Sequence, residues 1–198
     1  MRAPIHEFHA SNLLTYLALV AAVGAALAAV EGRHPAFAGA ALALAVIADT
    51  FDGRFARSFA RTERQANIGH NLDSLVDAIA FGLAPVMVLA AVPIAEPGGR
   101  ALVWWIAASI YTVAAVSRLA FYNVMGDDAR FVGLPAPAAA LLCATSLIVP
   151  VPAWAAPWPL LVGGAAMIAP FSFPRPRGLA LAAFVLWAAG LMVSLAFA

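Results

Sequence analysis

The stretch that decides the fold is residues 49–77, which read DTFDGRFARSFARTERQANIGHNLDSLVD. Apolar runs lie on both sides of it, so it holds the facing ends of two apolar segments and the polar connection between them. Four aspartates lie here, namely Asp49, Asp52, Asp73 and Asp77. The members of the first pair are three residues apart and those of the second are four apart, so each pair shares one face of a helix. The stretch therefore predicts a helical hairpin whose two carboxylate pairs face each other.

The composition indicates a membrane protein. Of the 198 residues, 64% are hydrophobic and 11% are charged, whereas soluble domains are about 45–50% apolar and about 25% charged. An ordinary soluble domain and a disordered chain are therefore excluded. The formal net charge of +1 favours no nucleic-acid partner. The apolar runs are too long for barrel strands, so the predicted fold is an all-α, polytopic transmembrane helix bundle.

We expect six to seven spans, because a helix needs about 20 apolar residues to cross the hydrocarbon. The predicted spans are 12–31, 35–58, 69–92, 101–124, 133–150, 156–173 and 178–197. Pro157, Pro159 and Pro170 leave open that the sixth is two pieces of a broken helix. The first run is too long for a signal peptide, so residues 1–11 are predicted to be a short interfacial segment. Residues 1–198 would then form a single integral-membrane domain.

The arginines predict the orientation. All eleven basic residues are arginines, and nine fall near the side that holds the N-terminus. Only Arg33 and Arg100 fall on the other side. Because basic residues concentrate on the cytoplasmic side, the N-terminus and the aspartates are predicted to face the cytoplasm.

The four aspartates predict a metal site. One carboxylate inside a span costs about 2.5–3.5 kcal/mol, and four together repel one another unless cations lie among them. Paired carboxylates suit one or two Mg²⁺ or Mn²⁺ ions. Two alternatives stay open: an ion network with Arg57, Arg61 and Arg64, or a cation or proton relay as in a transporter. Transporters tend to contain internal repeats, and no convincing repeat is visible here.

The residues between the carboxylate pairs suit a pyrophosphate. Gly53 leaves room for a phosphate beside the carboxylates, and Ala56 keeps the same face shallow. Arg57 can pair with a phosphate in a bidentate manner. Gly53 could equally be a glycine that only lets helices pack closely.

The complete pattern is Asp49-x2-Asp52-Gly53-x2-Ala56-Arg57-x11-Gly69-x3-Asp73-x3-Asp77. It resembles the signature of the CDP-alcohol phosphotransferase family. One departure is the connection between Arg57 and Gly69, whose eleven residues make it longer than is usual in the family.

Further stretches are similar to the bacterial phosphatidylserine synthases within this family. They are Asn12–Thr15, residues 72–85, residues 131–140 and residues 167–174. Residues 118–123 depart from that subfamily, which usually has a second arginine where Phe121 stands and a phenylalanine where Tyr122 stands.

The resemblance implies an enzyme that transfers a phosphatidyl group from CDP-diacylglycerol to an alcohol and releases CMP. It implies a catalytic domain in the bacterial inner membrane, with membrane lipids around it and a homodimer as the assembly. It implies two metal ions, Mg²⁺ or Mn²⁺, held by Asp49, Asp52, Asp73 and Asp77. It also implies that Asp77 is the general base and that the CDP group contacts Asp52, Gly53, Ala56 and Arg57. Gly69 either contacts the CDP group as well or only lets the helices approach each other.

Serine is the favoured acceptor, so we looked for a group that binds a carboxylate. Arg118 is the best candidate, because it lies near the cytoplasmic end of the fourth span without an acidic residue within one turn. Asn123 could add a hydrogen bond. The alternative for Arg118 is that it extends to the interface. Glycerol phosphate or an inositol phosphate as acceptor, and an ether-linked lipid as donor, stay open as alternatives.

Overall fold

The computed structural model describes residues 7–32, 35–90, 100–125, 131–148, 152–173 and 178–197. The α-helices within these ranges are α1 (Leu13–Val30), α2 (Pro35–Ala56), α3 (Glu63–Asp77), α4 (Ala84–Ala90), α5 (Arg100–Met125), α6 (Ala136–Thr145), α7 (Trp158–Ile168) and α8 (Leu179–Ala196). A π-helical segment, Ala78–Leu83, joins α3 to α4. Short 3₁₀ turns cover Ala10–Asn12 and Ala153–Ala155, and two-residue strands lie at Phe131–Val132 (β1) and Ser172–Phe173 (β2).

The all-helical class is confirmed. Within the described ranges, five helical segments are long and apolar enough to cross a membrane. They are Ala10–Val30, Pro35–Ala56, Glu63–Ala90, Leu102–Met125 and Leu179–Ala196. Four of them begin and end within about two residues of the predicted spans, and the third begins earlier.

The fifth and sixth predicted spans, 133–150 and 156–173, are shorter as helices than the sequence suggested. α6 has 10 residues and α7 has 11, so each is about 15–17 Å long, roughly half of the hydrocarbon thickness. Prolines set these limits. α6 starts after Pro135, and α7 starts after Pro157. α7 ends at Ile168, and the next residue, Ala169, is extended because the residue before a proline avoids the helical region. Residues 149–150 lie outside the described residues.

The third predicted span, 69–92, begins six residues too late. α3 starts at Glu63 because Thr62 and Gln65 form a capping box. The Gln65 N–H donates to Thr62 Oγ1 at 3.3 Å, and the Thr62 N–H donates to Gln65 Oε1 at 2.9 Å. These bonds satisfy backbone donors that a helix start leaves free. Residues 91–92 lie outside the described residues.

Small side chains bring the helices close together. α1 packs along α2, α2 also contacts α8, and α5 packs against α7. The buried residues of α1 are six alanines and Thr15. On α7, a Cβ placed at Gly164 would lie 3.1 Å from Tyr111 Cα, so the two backbones are almost in contact there. Close approach of this kind maximises van der Waals packing between membrane helices.

Two stretches far apart in the sequence meet in a small antiparallel ladder. Phe131 is paired with Phe173, and Val132 with Ser172. Beyond the ladder, the Gly133 N–H donates to Phe171 O at 2.8 Å. Gly133 has a φ of +70°, and a Cβ at this position would lie 2.1 Å from Met167 O, so only glycine fits. The ladder thus joins residues 131–133, after α5, to the segment that follows α7.

Candidate active site

The aspartates of α2 and α3 converge. One carboxylate oxygen from each of Asp49, Asp52 and Asp73 can be chosen so that all three lie within 4.8 Å of one another. Asp77 lies one helical turn further along α3, beside Asp49. The structure therefore brings together the two carboxylate pairs that their sequence spacing placed on facing helices.

The donor set fits a divalent cation. Carboxylate oxygens are the ligands that Mg²⁺ and Mn²⁺ prefer, and close carboxylates repel one another without a cation. Asp77 Oδ1 is buried and has no hydrogen-bond partner within the described part of the chain. A buried acceptor without a partner is costly, and a cation or a substrate hydroxyl would satisfy it.

The arginines do not neutralise this cluster. Among the described residues, Arg64 forms its ion pair with Glu7, at 2.9 Å, and none of the ion pairs found there joins Arg57 or Arg61 to an aspartate. The alternative of a structural ion network needs such pairs. Their absence within residues 49–77 favours the metal-site interpretation.

A cavity of about 180 Å³ opens beside the carboxylates. Its lining includes all five residues predicted to contact the CDP group, namely Asp52, Gly53, Ala56, Arg57 and Gly69. The lining also contains Asn12, Thr15, Arg61, Ala66, His70 and Asp73. A lining that holds both arginines and carboxylates suits a group that carries phosphates and bound cations.

Sequence reasoning missed the contribution of α1 to this cavity. Thr15 is only 6% exposed, and its hydroxyl donates to Asp52 Oδ2 at 3.0 Å. Asn12 is buried, and its Oδ1 accepts a hydrogen bond from Ser11 Oγ at 3.2 Å. The available signal was the spacing of three residues between Asn12 and Thr15, which places two polar side chains on one face of an apolar helix.

Gly69 allows α3 to approach this polar face of α1. A Cβ at Gly69 would lie 3.0 Å from Asn12 Oδ1, tighter than an ordinary contact. Gly53 has more space, since a Cβ there would meet Arg57 Nη1 at 3.6 Å. The two glycines therefore act differently. Gly69 lets α1 and α3 pack closely, and Gly53 leaves space in the cavity because it has no side chain.

Arg118 lines a second cavity of about 240 Å³ and lies close enough to Asp77 for their charges to interact. The arginine is only 8% exposed, and its guanidinium carbon lies 4.5 Å from the centre of the Tyr122 ring. Its Nε and Nη2 have no hydrogen-bond partners within the described residues. An arginine that extends to the membrane interface would expose its head group. The burial of Arg118 argues against that alternative.

Asn123 does not line either of the two cavities. Its Oδ1 accepts a hydrogen bond from Ser74 Oγ at 2.9 Å. Asn123 therefore links α5 to α3 close to Asp73 and Asp77, and a contact of Asn123 with an acceptor stays a prediction.

The chain is similar to known proteins over most of its length. Residues 8–173 match the family model described as CDP-alcohol phosphatidyltransferase. A CDP-diacylglycerol--serine O-phosphatidyltransferase of Mycobacterium tuberculosis H37Rv is 37% identical over 139 residues, 66% of this chain and 46% of that protein. The protein of the same name from Mycobacterium leprae is 38% identical over 136 residues, 65% of this chain and 43% of that protein.

A third relative is the archaetidylserine synthase of Methanothermobacter thermautotrophicus. It is 34% identical over 99 residues, 50% of this chain and 40% of that protein. The chain thus spans less than half the length of these three relatives.

Proposed function

The chain belongs to the CDP-alcohol phosphatidyltransferase family, and we propose that it transfers a phosphatidyl group from CDP-diacylglycerol to the hydroxyl group of L-serine, giving phosphatidylserine and CMP. One observation carries the proposal: carboxylates that can share a cation form one edge of a cavity that is also lined by Gly53, Ala56 and Arg57. We also propose that residues 1–198 act as a single catalytic domain in the bacterial inner membrane, as a homodimer, with the site facing the cytoplasm.

The 180 Å³ cavity is the proposed site for the CDP group. Arg57 and Arg61 line it and offer donors to the pyrophosphate, while Gly53 leaves the wall open for its approach. Asn12 and His70 provide polar groups elsewhere on the lining. The site lies between apolar helices, so the two acyl chains of the donor would remain in the lipid beside the bundle.

Asp49, Asp52 and Asp73 are the proposed ligands of Mg²⁺ or Mn²⁺, with Asp77 able to join them, and the family resemblance implies two ions. Such ions would polarise the phosphoryl oxygens and offset the negative charge that develops during transfer. The hydroxyl of Thr15 holds Asp52 Oδ2, which fixes the orientation of that carboxylate.

The transfer itself needs a base and a positioned acceptor. The acceptor oxygen attacks the lipid-side phosphorus, the bond from this phosphorus to the oxygen of CMP breaks, and CMP leaves. Asp77 is the proposed base that takes the hydroxyl proton, because its buried Oδ1 has no other partner among the described residues. A carboxylate is a weak base for an alcohol, so positioning of the acceptor contributes as well.

Two observations support serine as the acceptor. Two of the relatives are named for transfer to serine. Arg118 lines a cavity and lies close to Asp77, and its buried Nε and Nη2 have no hydrogen-bond partner among the described residues, so a carboxylate could bind them while the hydroxyl reaches the base. Among the described residues that line that cavity, Arg118 is the single charged one. Acceptors with a phosphate group would favour more than one arginine.

CMP release by the purified protein tests this proposal. The assay supplies CDP-diacylglycerol and Mg²⁺ or Mn²⁺ with L-serine, glycerol 3-phosphate, inositol phosphate or no acceptor. We expect release with serine that is abolished in Asp77→Asn and strongly reduced at low serine in Arg118→Met. Arg54→Gln is the matched control, because Arg54 is exposed and lines neither cavity.

Two results would contradict the proposal. Release that depends on another acceptor would overturn the assignment of serine. No release with any acceptor, from protein that unfolds cooperatively on heating, would overturn the assignment of the reaction.

A further inference from the structure

Tyr122 holds two parts of the second cavity together. Its hydroxyl donates to Val132 O at 2.9 Å and accepts a hydrogen bond from the Val132 N–H. One side chain of α5 thus uses both polar backbone groups of a residue in β1. Because β1 is paired with β2, the hydroxyl also fixes α5 relative to the segment after α7. The ring of Tyr122 therefore has little freedom to move.

This fixed ring supports the guanidinium of Arg118. The guanidinium carbon lies 4.5 Å from the ring centre, which is within the range of a cation–π interaction. The ring covers one face of the planar group, so ligands must approach the guanidinium along its edges. The edge formed by Nε and Nη2 has no partners within the described part of the chain. These two nitrogens form a fork that matches the two oxygens of a carboxylate.

The surroundings of the fork favour an acceptor with one anionic group. Phe121, Val132, Met167 and Ile168 form the apolar part of the same lining. A second anionic group that lay against these side chains would find no further cation among the described lining residues, which is unfavourable. Serine needs one guanidinium for its carboxylate and has no further anionic group.

We propose that Tyr122 is a positioning residue for acceptor recognition: it holds the guanidinium of Arg118 so that the Nε and Nη2 edge binds the carboxylate of an amino-acid acceptor. This inference rests on the proposed function. It goes further in naming the residue that selects for the carboxylate and the contact through which it acts.

Two substitutions separate the hydrogen bonds of the Tyr122 hydroxyl from the contact of its ring with Arg118. Tyr122→Phe keeps the ring but removes the anchor to Val132, and we expect it to raise the KM for serine about three- to tenfold. Tyr122→Leu also removes the ring face under Arg118, and we expect it to raise that KM by about tenfold or more. The KM for CDP-diacylglycerol should stay near that of the wild type in both variants, because Tyr122 does not line the donor cavity.

The experiment compares L-serine with serinol, which has the same skeleton without the carboxylate, in the CMP-release assay. If Tyr122 acts through Arg118, both variants lose preference for serine over serinol, and serinol kinetics change little. A merely structural role would affect both acceptors and the donor equally. Tyr111→Phe is the matched control, because it removes a buried hydroxyl beside Cys143 from the same helix, at a residue that lines neither cavity.

The outcomes are distinct. An unchanged serine KM in Tyr122→Phe and Tyr122→Leu would overturn the role of Tyr122, and so would equal losses with serine and serinol. If Tyr122→Leu does not fold, Tyr122→Phe alone decides the question. A wild-type protein that does not release CMP with serine would overturn the proposed function and this inference together, and the wild-type measurement alone would reveal it.

Discussion

Substitution of Thr15 by valine should weaken the binding of the cation. Valine has nearly the same shape as threonine but cannot donate the hydrogen bond that holds Asp52 Oδ2 at 3.0 Å. Hydrogen bonds to charged groups contribute about 1.5–3 kcal/mol. At about 1.4 kcal/mol for each factor of ten, this corresponds to roughly 10- to 150-fold in affinity. Loss of an outer partner of a metal ligand typically costs a similar factor, about 10- to 100-fold.

Two measurements check this expectation. In the CMP-release assay, the Mg²⁺ or Mn²⁺ concentration for half-maximal rate should rise at least about tenfold in Thr15→Val. Without substrate, the increase in unfolding temperature caused by the same cation should shrink, because stabilisation by a ligand follows its occupancy. Thr15→Ser keeps the hydroxyl and should restore most of the affinity.

Thr112→Val provides the matched control. Thr112 also donates a single hydrogen bond, at 3.1 Å to Gly82 O, but it lines neither cavity. This variant should lose some stability and keep the cation dependence of the wild type. A Thr15→Val protein with unchanged cation dependence would refute the role assigned to this hydrogen bond.

Three other substitutions test separate parts of the structure. Asp73→Asn should lower CMP release by more than about a hundredfold, because a metal ligand is lost. With a chelator present, its unfolding temperature should not fall below that of the wild type, since one source of carboxylate repulsion is gone. A clearly lower unfolding temperature under these conditions would argue against such repulsion. Gly69→Ala should raise the KM for CDP-diacylglycerol about threefold or more, because the new Cβ displaces the side chain of Asn12. An unchanged KM would contradict the role of Gly69 in shaping the donor cavity. Gly164→Ala should lower the free energy of unfolding by about 1–3 kcal/mol, because the new Cβ pushes against Tyr111. The KM values should be unaffected. A thermal unfolding curve like that of the wild type would show that the two helices can move apart at no cost.

The long helices were predictable because the hydropathy of the sequence alone indicates them. A run of about 20 apolar residues bounded by polar ones has few interpretations, and α1, α2, α5 and α8 follow such runs. The region from 133 to 173 was harder, since its apolar content continues through prolines that end the helices. The start of α3 was missed because the signal is a capping box in a polar stretch, where hydropathy carries no information.

The candidate site likewise has a part that the sequence predicts and a part that it does not. Fixed spacing along two adjacent helices made the convergence of the aspartates predictable. The contribution of Asn12 and Thr15 depends on how a third helix packs, which local spacing does not encode. The surroundings of Arg118 depend on a two-residue ladder between segments about 40 residues apart. No local pattern in the sequence indicates that pairing.

The alanine-rich face of α1 restricts how this chain can vary over evolutionary time. At Ala22 or Ala25, which are fully buried, almost every replacement is an enlargement. A single substitution at such a position therefore causes a steric clash, whereas in a core of larger aliphatic side chains, substitutions to smaller residues cause none. Neighbouring helices would have to change in concert, so substitutions on this face should occur in compensating pairs. The outward positions of the same helix, such as Val20 and Leu27, are free of that constraint and should account for most of its divergence.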